Sequence, residues 1–277
     1  MTFELAVSTM MKTKEEVKEL INKMNIHCNC IVINQCNEND YYEFNDKNIR
    51  VFCTTERGLS NSRNLAIKNA NCDILGITDD DLFFYPDFDK KIASYYEKNT
   101  NADIVLFNID SYNKEYPNYE EKIPFYRLGS FCSVQTTIKV ASVRKNNILF
   151  DNFFGTGSKE IISGEENIFL ADCAKKGLKI YYSPEKILKL EKTESSWFNG
   201  YNDSKFIFDR GAIYYRIWKS LSIFLEIRFA FSKRKLIEPF TFSTAMKKMK
   251  EGRTYYRNNL NESRIIEKNS IDQEVKK

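Results

Sequence analysis

The chain has 277 residues, 42% of them hydrophobic and 14% aromatic, with 21 Phe and 16 Tyr, which excludes a disordered chain. Ten Gly and five Pro exclude collagen-like or linker-rich architecture, so the sequence describes a globular protein of one or two domains. The net charge of +4 hides an asymmetry, because residues 205–277 carry 17 basic and 8 acidic residues while the remainder carries 25 and 30.

In chain order, Phe3 to Val7 predicts a strand, and Lys14 to Met24 a helix with Thr13 and Glu16 at capping-box spacing. Ile31-Val32-Ile33 and Ile49 to Cys53 read as strands, Ser60 to Ala70 as a helix, and Asp73 to Thr78 as a strand that ends on three aspartates. A helix with Pro86 at its first position runs to about Lys98, and Ile104 to Phe107 is another strand. Tyr112 to Gly129 is loop-like and Phe131 to Ile138 strand-like. A helix spans Glu165 to Lys176 with Gly177 as its C-cap, and Lys179 to Tyr182 predicts a strand. This alternation predicts an α/β fold, a mostly parallel sheet flanked by helices whose ligands bind beyond the carboxyl ends of the strands. Beyond Asn202 the pattern turns helical, basic and aromatic. The expected domains are therefore 1–202, with halves at about 1–110 and 111–202, and a helical segment over 203–277.

Seven cysteines show neither a disulfide framework nor zinc-ligand spacing, and they read as small core residues. No basic leader precedes an apolar core at the N-terminus. The most apolar run, Leu221 to Phe231, is 11 residues long and contains Glu226 and Arg228, too short and too charged to span a bilayer. A cytoplasmic location follows as the expectation. The basic tail suggests an anionic partner, membrane lipid or nucleic acid, with a solvated helical face as the alternative. The expected partner is a membrane surface, which would put the protein on the inner face of the plasma membrane, and nucleic acid is not expected.

Thr78-Asp79-Asp80-Asp81 follows an apolar strand. Adjacent carboxylates repel one another, and a hard divalent cation such as Mg2+ or Mn2+ is an economical reason to keep them together; a solvated helix-capping turn is the alternative. Arg57-Gly58-Leu59-Ser60-Asn61-Ser62-Arg63-Asn64 leads from a strand into a helix, placing Arg63 where it could reach a base or phosphate over the sheet. Gly164-Glu165-Glu166-Asn167 opens the later helix. Ser163 and Glu166 make a capping-box pair, which explains Glu166 locally, but a carboxylate at this junction could also serve as a general base.

Together, Glu56 to Ala70, the Asp73–Asp81 strand and turn, and Gly164-Glu165-Glu166-Asn167-Ile168-Phe169-Leu170 resemble the family 2 glycosyltransferases of GT-A fold. The carriers are a Gly-x-x-x-x-Arg-Asn helix start, a D-x-D motif, and an "ED"-like motif about 85 residues further on. The resemblance covers roughly residues 3 to 200. It implies Asp81 and Asp79 as ligands of Mn2+ or Mg2+, with Ser8, Thr9, Arg63, Asp79 and Asp80 on the donor side. It also implies Glu166, or its neighbour Glu165, as the catalytic base, although the family more often has Asp there. The implied reaction is an inverting, metal-dependent transfer, hexosyl or N-acetylhexosaminyl in class. Sugar passes from a nucleotide-diphosphate donor, first a UDP-sugar, to a glycan or lipid-linked acceptor in bacterial surface polysaccharide synthesis. Asn34-Gln35-Cys36 stands where the family often has a base-reading Asp, and residues 183–200 lack the family's downstream His, for which Glu191 or Glu194 could substitute. Ser195 to Tyr201 reads as a cleft loop with Trp197 as a sugar anchor, or equally as a hydrophobic plug.

Two rivals remain at this level. A sugar nucleotidyltransferase would show a Gly-rich phosphate loop near the first strand, and residues 5–14 contain no Gly. A non-catalytic membrane or nucleic-acid adaptor would leave the paired acidic motifs unexplained.

Overall fold

Near-continuous apolar runs in the central strands give the sheet two buried faces, and the helices between strands cover them. The structure, a computed structural model, describes residues 1–111, 115–159, 161–190 and 202–274; the side chains of residue 45 and of 261–274 fall outside that description. In order, the elements are β1 (Phe3–Met10), α1 (Lys14–Lys23), β2 (Cys30–Gln35), β3 (Asn45–Asp46), β4 (Ile49–Thr54), α2 (Leu59–Asn69), β5 (Ile74–Thr78) and β6 (Phe83–Phe84). There follow α3 (Phe88–Lys98), β7 (Ile104–Asp110), β8 (Glu121–Lys122), β9 (Thr136–Lys139), α4 (Val140–Lys145), α5 (Glu165–Lys175) and β10 (Ile180–Lys189). Three helices complete the described chain: α6 (Ser204–Trp218), α7 (Ser222–Ser232) and α8 (Phe242–Glu274).

The chain divides into two compact units, Met1–Lys159 with Glu165–Glu194, and Glu160–Gly164 with Ser195–Lys277. In the first unit the strand order is β3-β4-β2-β1-β5-β9-β7-β10-β6, with β8 on β10. The expected parallel sheet is its centre: β4, β2, β1 and β5 run parallel, as do β7 and β10. Strand β9 inserts antiparallel between β5 and β7, so the sheet as a whole is mixed. One face gathers Ala6, Ile31, Ile33, Leu75 and Ile77 with Ala66 and Ile67 of α2 and Phe169 and Leu170 of α5. The other gathers Leu5, Val7 and Val32 with Val17 and Ile21 of α1 and Ile92 and Tyr96 of α3.

Three local expectations are corrected. Pro86 lies outside α3 rather than at its first position, because Asp87, with φ of 58°, is the N-cap. Residues 131–138 are not one strand: a 3-10 turn over Ser133–Gln135 precedes β9, held by Gln135 Nε2 donating to the Phe107 carbonyl at 2.8 Å. The Ser163–Glu166 capping box is out of register, since α5 begins at Glu165 and the residue before it is Gly164.

In the second unit α6 and α8 cross where both carry glycine. A Cβ on Gly211 would stand 1.9 Å from the Met249 carbonyl oxygen, and one on Gly252 2.0 Å from that of Phe208. Around them lies a core of Phe206, Ile207, Phe229, Ala230, Ile237, Ala245 and Met249. Asp209, buried on α6, accepts from Lys205 Nζ at 2.7 Å, Ile162 N at 3.1 Å and Ser163 Oγ at 3.0 Å, which binds segment 160–164 to this unit. Among the described residues no helix is long and apolar enough to cross a membrane.

Candidate active site

Parallel strands β1 and β5 end side by side, Val7 in register with Thr78, so their carboxyl-end loops share one edge of the sheet. Ser8 and Thr9 at the end of β1 are buried. Ser62 on α2 donates to Ser8 Oγ at 2.8 Å, and Thr9 Oγ1 donates to Asp80 Oδ2 at 2.5 Å. The β1 end is thus tied to both the α2 start and the aspartate turn.

Arg63 occupies the centre of this edge and is only 1% exposed. Its Nη1 donates to Glu165 Oε1 at 2.9 Å, and its Nη2 to Asp79 Oδ1 at 3.1 Å and Ser133 Oγ at 2.9 Å. Its guanidinium carbon stands 5.4 Å from the centre of the Phe150 ring, which stacks on Phe169 at 4.2 Å. Burial opposes the Arg63 charge, but Asp79, Glu165 and Glu166 outweigh that and hold its pKa above the ordinary value. The Arg63 guanidinium is thus out of solvent and committed to two carboxylates and one serine hydroxyl.

The two glutamates differ. Glu165 is buried against Arg63, and Gly155 packs on it so closely that a Cβ there would lie 3.0 Å from its carboxyl carbon. Glu166 is half-buried and accepts from Asn167 Nδ2 at 2.7 Å. Asp81 is exposed, yet partial desolvation of its carboxyl and the adjacent charges of Asp79 and Asp80 raise its pKa above the usual carboxylate range. Among the described residues no three His, Cys, Asp or Glu side chains form a ready metal shell. The donor set still fits a hard cation that takes one or two carboxylates and completes its shell with ligand and water oxygens, and such an ion would relieve the repulsion recorded at Asp81. Glu191, Glu194, Ser195 to Tyr201 and Trp197 lie outside the described residues.

Several site residues were not expected from sequence. Ser133 reaches Arg63 from the turn before β9, and Asn167 orients Glu166. Gln35 Oε1 accepts from Gly58 N at 2.8 Å, and Asn34 bonds both backbone groups of Lys12, at 3.1 and 2.7 Å, so these amides fix loops around the site. The Gly155-Thr156-Gly157 loop packs on the start of α2, where a Cβ on Gly157 would lie 2.8 Å from Gly58 Cα. That paired glycine was the one legible signal among them. Two surface concavities, one bordered by Phe3, His27 and Asn48 and one by Asn64, Arg144 and Leu149, include none of these carboxylates. All seven cysteines are free, and burial pushes the Cys30 and Cys72 thiols up to about 12.

Solved structures with this fold place the molecule in a class. The chain is similar to S. aureus TarS 1-349 in complex with UDP-GlcNAc, with a TM-score of 0.57 and 17% identity over 84% of this chain and 74% of that one. It is similar to TarS 1-349 in complex with UDP at a TM-score of 0.54 and 17% identity, over 84% of this chain and 73% of that one. A longer S. aureus TarS structure gives 0.56 at 17% identity, over 85% of this chain and 45% of that one. At such identity the likeness shows the fold, the GT-A fold of glycosyltransferases. Residues 14–162, more than half of the chain, match Glycosyl transferase family 2, and the chain belongs to that family. No curated protein matches it.

Proposed function

We propose that the chain transfers a sugar, with inversion, from a nucleoside-diphosphate donor, first a UDP-sugar, to a hydroxyl of a glycan or lipid-linked acceptor in bacterial surface polysaccharide synthesis. The observation that carries the reading is Arg63, whose two nitrogens join the aspartate turn after β5 to the first residue of α5. Motifs about 85 residues apart in sequence thereby meet at one sheet edge. The UDP-GlcNAc and UDP complexes of TarS support the choice of donor.

Asp81, with Asp79 beside it, would hold Mn2+ or Mg2+. When bound, the cation supplies charge neutralisation for the departing diphosphate. Ser8, Thr9 and Asp80 form the donor side, where the Thr9 hydroxyl already fixes the Asp80 carboxylate. Glu166 accepts the proton of the acceptor hydroxyl as that oxygen attacks the anomeric carbon. The bond to the diphosphate oxygen breaks on the opposite face, which inverts the centre. Glu165 is the weaker candidate for the base, because its carboxylate is buried and already occupied by Arg63.

Glu166→Gln tests the assignment. It keeps shape and the Asn167 contact but cannot take a proton, so turnover falls by about 10²–10⁴-fold with donor binding unchanged. Wild-type turnover in Glu166→Gln at saturating substrates would refute the assignment, and a selective collapse in Glu165→Gln with its fold intact would move the role one residue upstream.

A further inference from the structure

Helix α7 presents one face to its own unit and one to solvent. Phe229 and Ala230 are buried in the second unit's core, and Glu226 is fully buried, accepting from Arg253 Nη1 on α8 with both oxygens at 2.8 Å. The one acid within Leu221 to Phe231 therefore points inward, away from the exposed face. The outward face holds Ile223, Phe224, Ile227 and Phe231 at helical spacing, with Phe224 69% and Phe231 65% exposed. Leu221 and Leu236 extend the patch at either end. Its rim is basic: Arg228, Arg234 and Lys235 are exposed and Lys233 is half-buried, against the single exposed acid Glu238.

We infer that this face of α7 docks on an anionic lipid bilayer, lying in the plane of the interface with Phe224 and Phe231 inserted and the Lys233–Lys235 cluster on the headgroups. The charge pattern selects this occupant. A second copy of the chain would bring the same cations together, whereas anionic headgroups complement them. At 11 residues and about 1.5 Å per residue, α7 is far shorter than a bilayer core, so it lies on the surface and does not cross it.

Co-sedimentation of the full chain with phosphatidylcholine vesicles, with and without phosphatidylglycerol, tests the inference at low and high salt. The expected result is partitioning at least tenfold stronger onto anionic vesicles, weakening as salt rises. Phe224→Glu with Phe231→Glu, both on the exposed face, should lower it at least tenfold with melting temperature unchanged. Replacing Lys233, Arg234 and Lys235 with Gln should abolish the preference for anionic over neutral vesicles. Equal partitioning of the wild type onto both vesicles overturns the inference. So does a double Phe variant that binds vesicles normally, or one whose only change is conversion of a dimer to a monomer on sizing. Each readout is independent of glycosyl transfer.

Discussion

Asp79, Asp80 and Asp81 are neighbours in sequence but not in environment. Asp79 accepts from Arg63, Asp80 accepts from Thr9, and Asp81 faces solvent with its carboxyl crowded by the other two. Because Asp81 gives up its proton at a higher pH in the folded chain than in the unfolded one, its ionisation opposes folding. That contribution appears as pH rises from the ordinary carboxylate value through the raised folded one. Asp81→Asn removes it, so thermal melts should show a higher Tm than wild type at pH 7 and no difference well below the carboxylate range. A lower Tm at pH 7 would contradict the reading of Asp81 as an uncompensated charge. The glutamates separate in the opposite way. Glu165→Gln leaves the buried Arg63 with Asp79 as its one directly paired carboxylate and should lower stability by about 2 kcal/mol, a few degrees in Tm. Glu166→Gln should leave Tm near wild type.

At the scale of elements, the crossing of α6 and α8 is the feature most sensitive to a single atom. Gly211→Ala places a methyl group against the Met249 carbonyl with no flexible side chain able to yield, so the helices must separate. The expected loss is about 3 kcal/mol, the upper end for overpacking, read as a shift in urea midpoint; an unchanged midpoint would show that the helices do not meet there. Sequence made neither glycine stand out, since the approach is between residues about 40 apart. Where a signal is local, it was legible: Thr13 and Glu16 do form the capping box of α1, and short β-branched and apolar runs located β1, β2, β4, β5 and β7. Where structure is set by distant partners, it was not. The apolar run before β9 bends into a turn because Ser133 is drawn to Arg63 and Gln135 to Phe107. The Ser163–Glu166 spacing suggested a cap, yet the Ser163 hydroxyl donates to Asp209 of α6. Trp197 stays outside the described residues.

For the whole molecule, composition marked a change near residue 202, where an acidic body gives way to a basic, aromatic segment. It did not show that residues 160–164 join the C-terminal helices, an allegiance set by hydrogen bonds to Asp209. The first unit carries the acidic edge and the second the basic, apolar surface of α7, so the proposed donor chemistry and the proposed membrane docking can be tested by separate mutations. The proposed transfer depends above all on the aspartate turn acting as a metal-dependent nucleotide site. Calorimetric titration of UDP into the full chain, with Mn2+ and with chelator, in wild type and Asp81→Asn, tests that directly. Affinity should be at least tenfold higher with Mn2+ in wild type, with no metal effect in the folded variant. Equal wild-type affinity with and without Mn2+, or a metal effect that survives in Asp81→Asn, would contradict it.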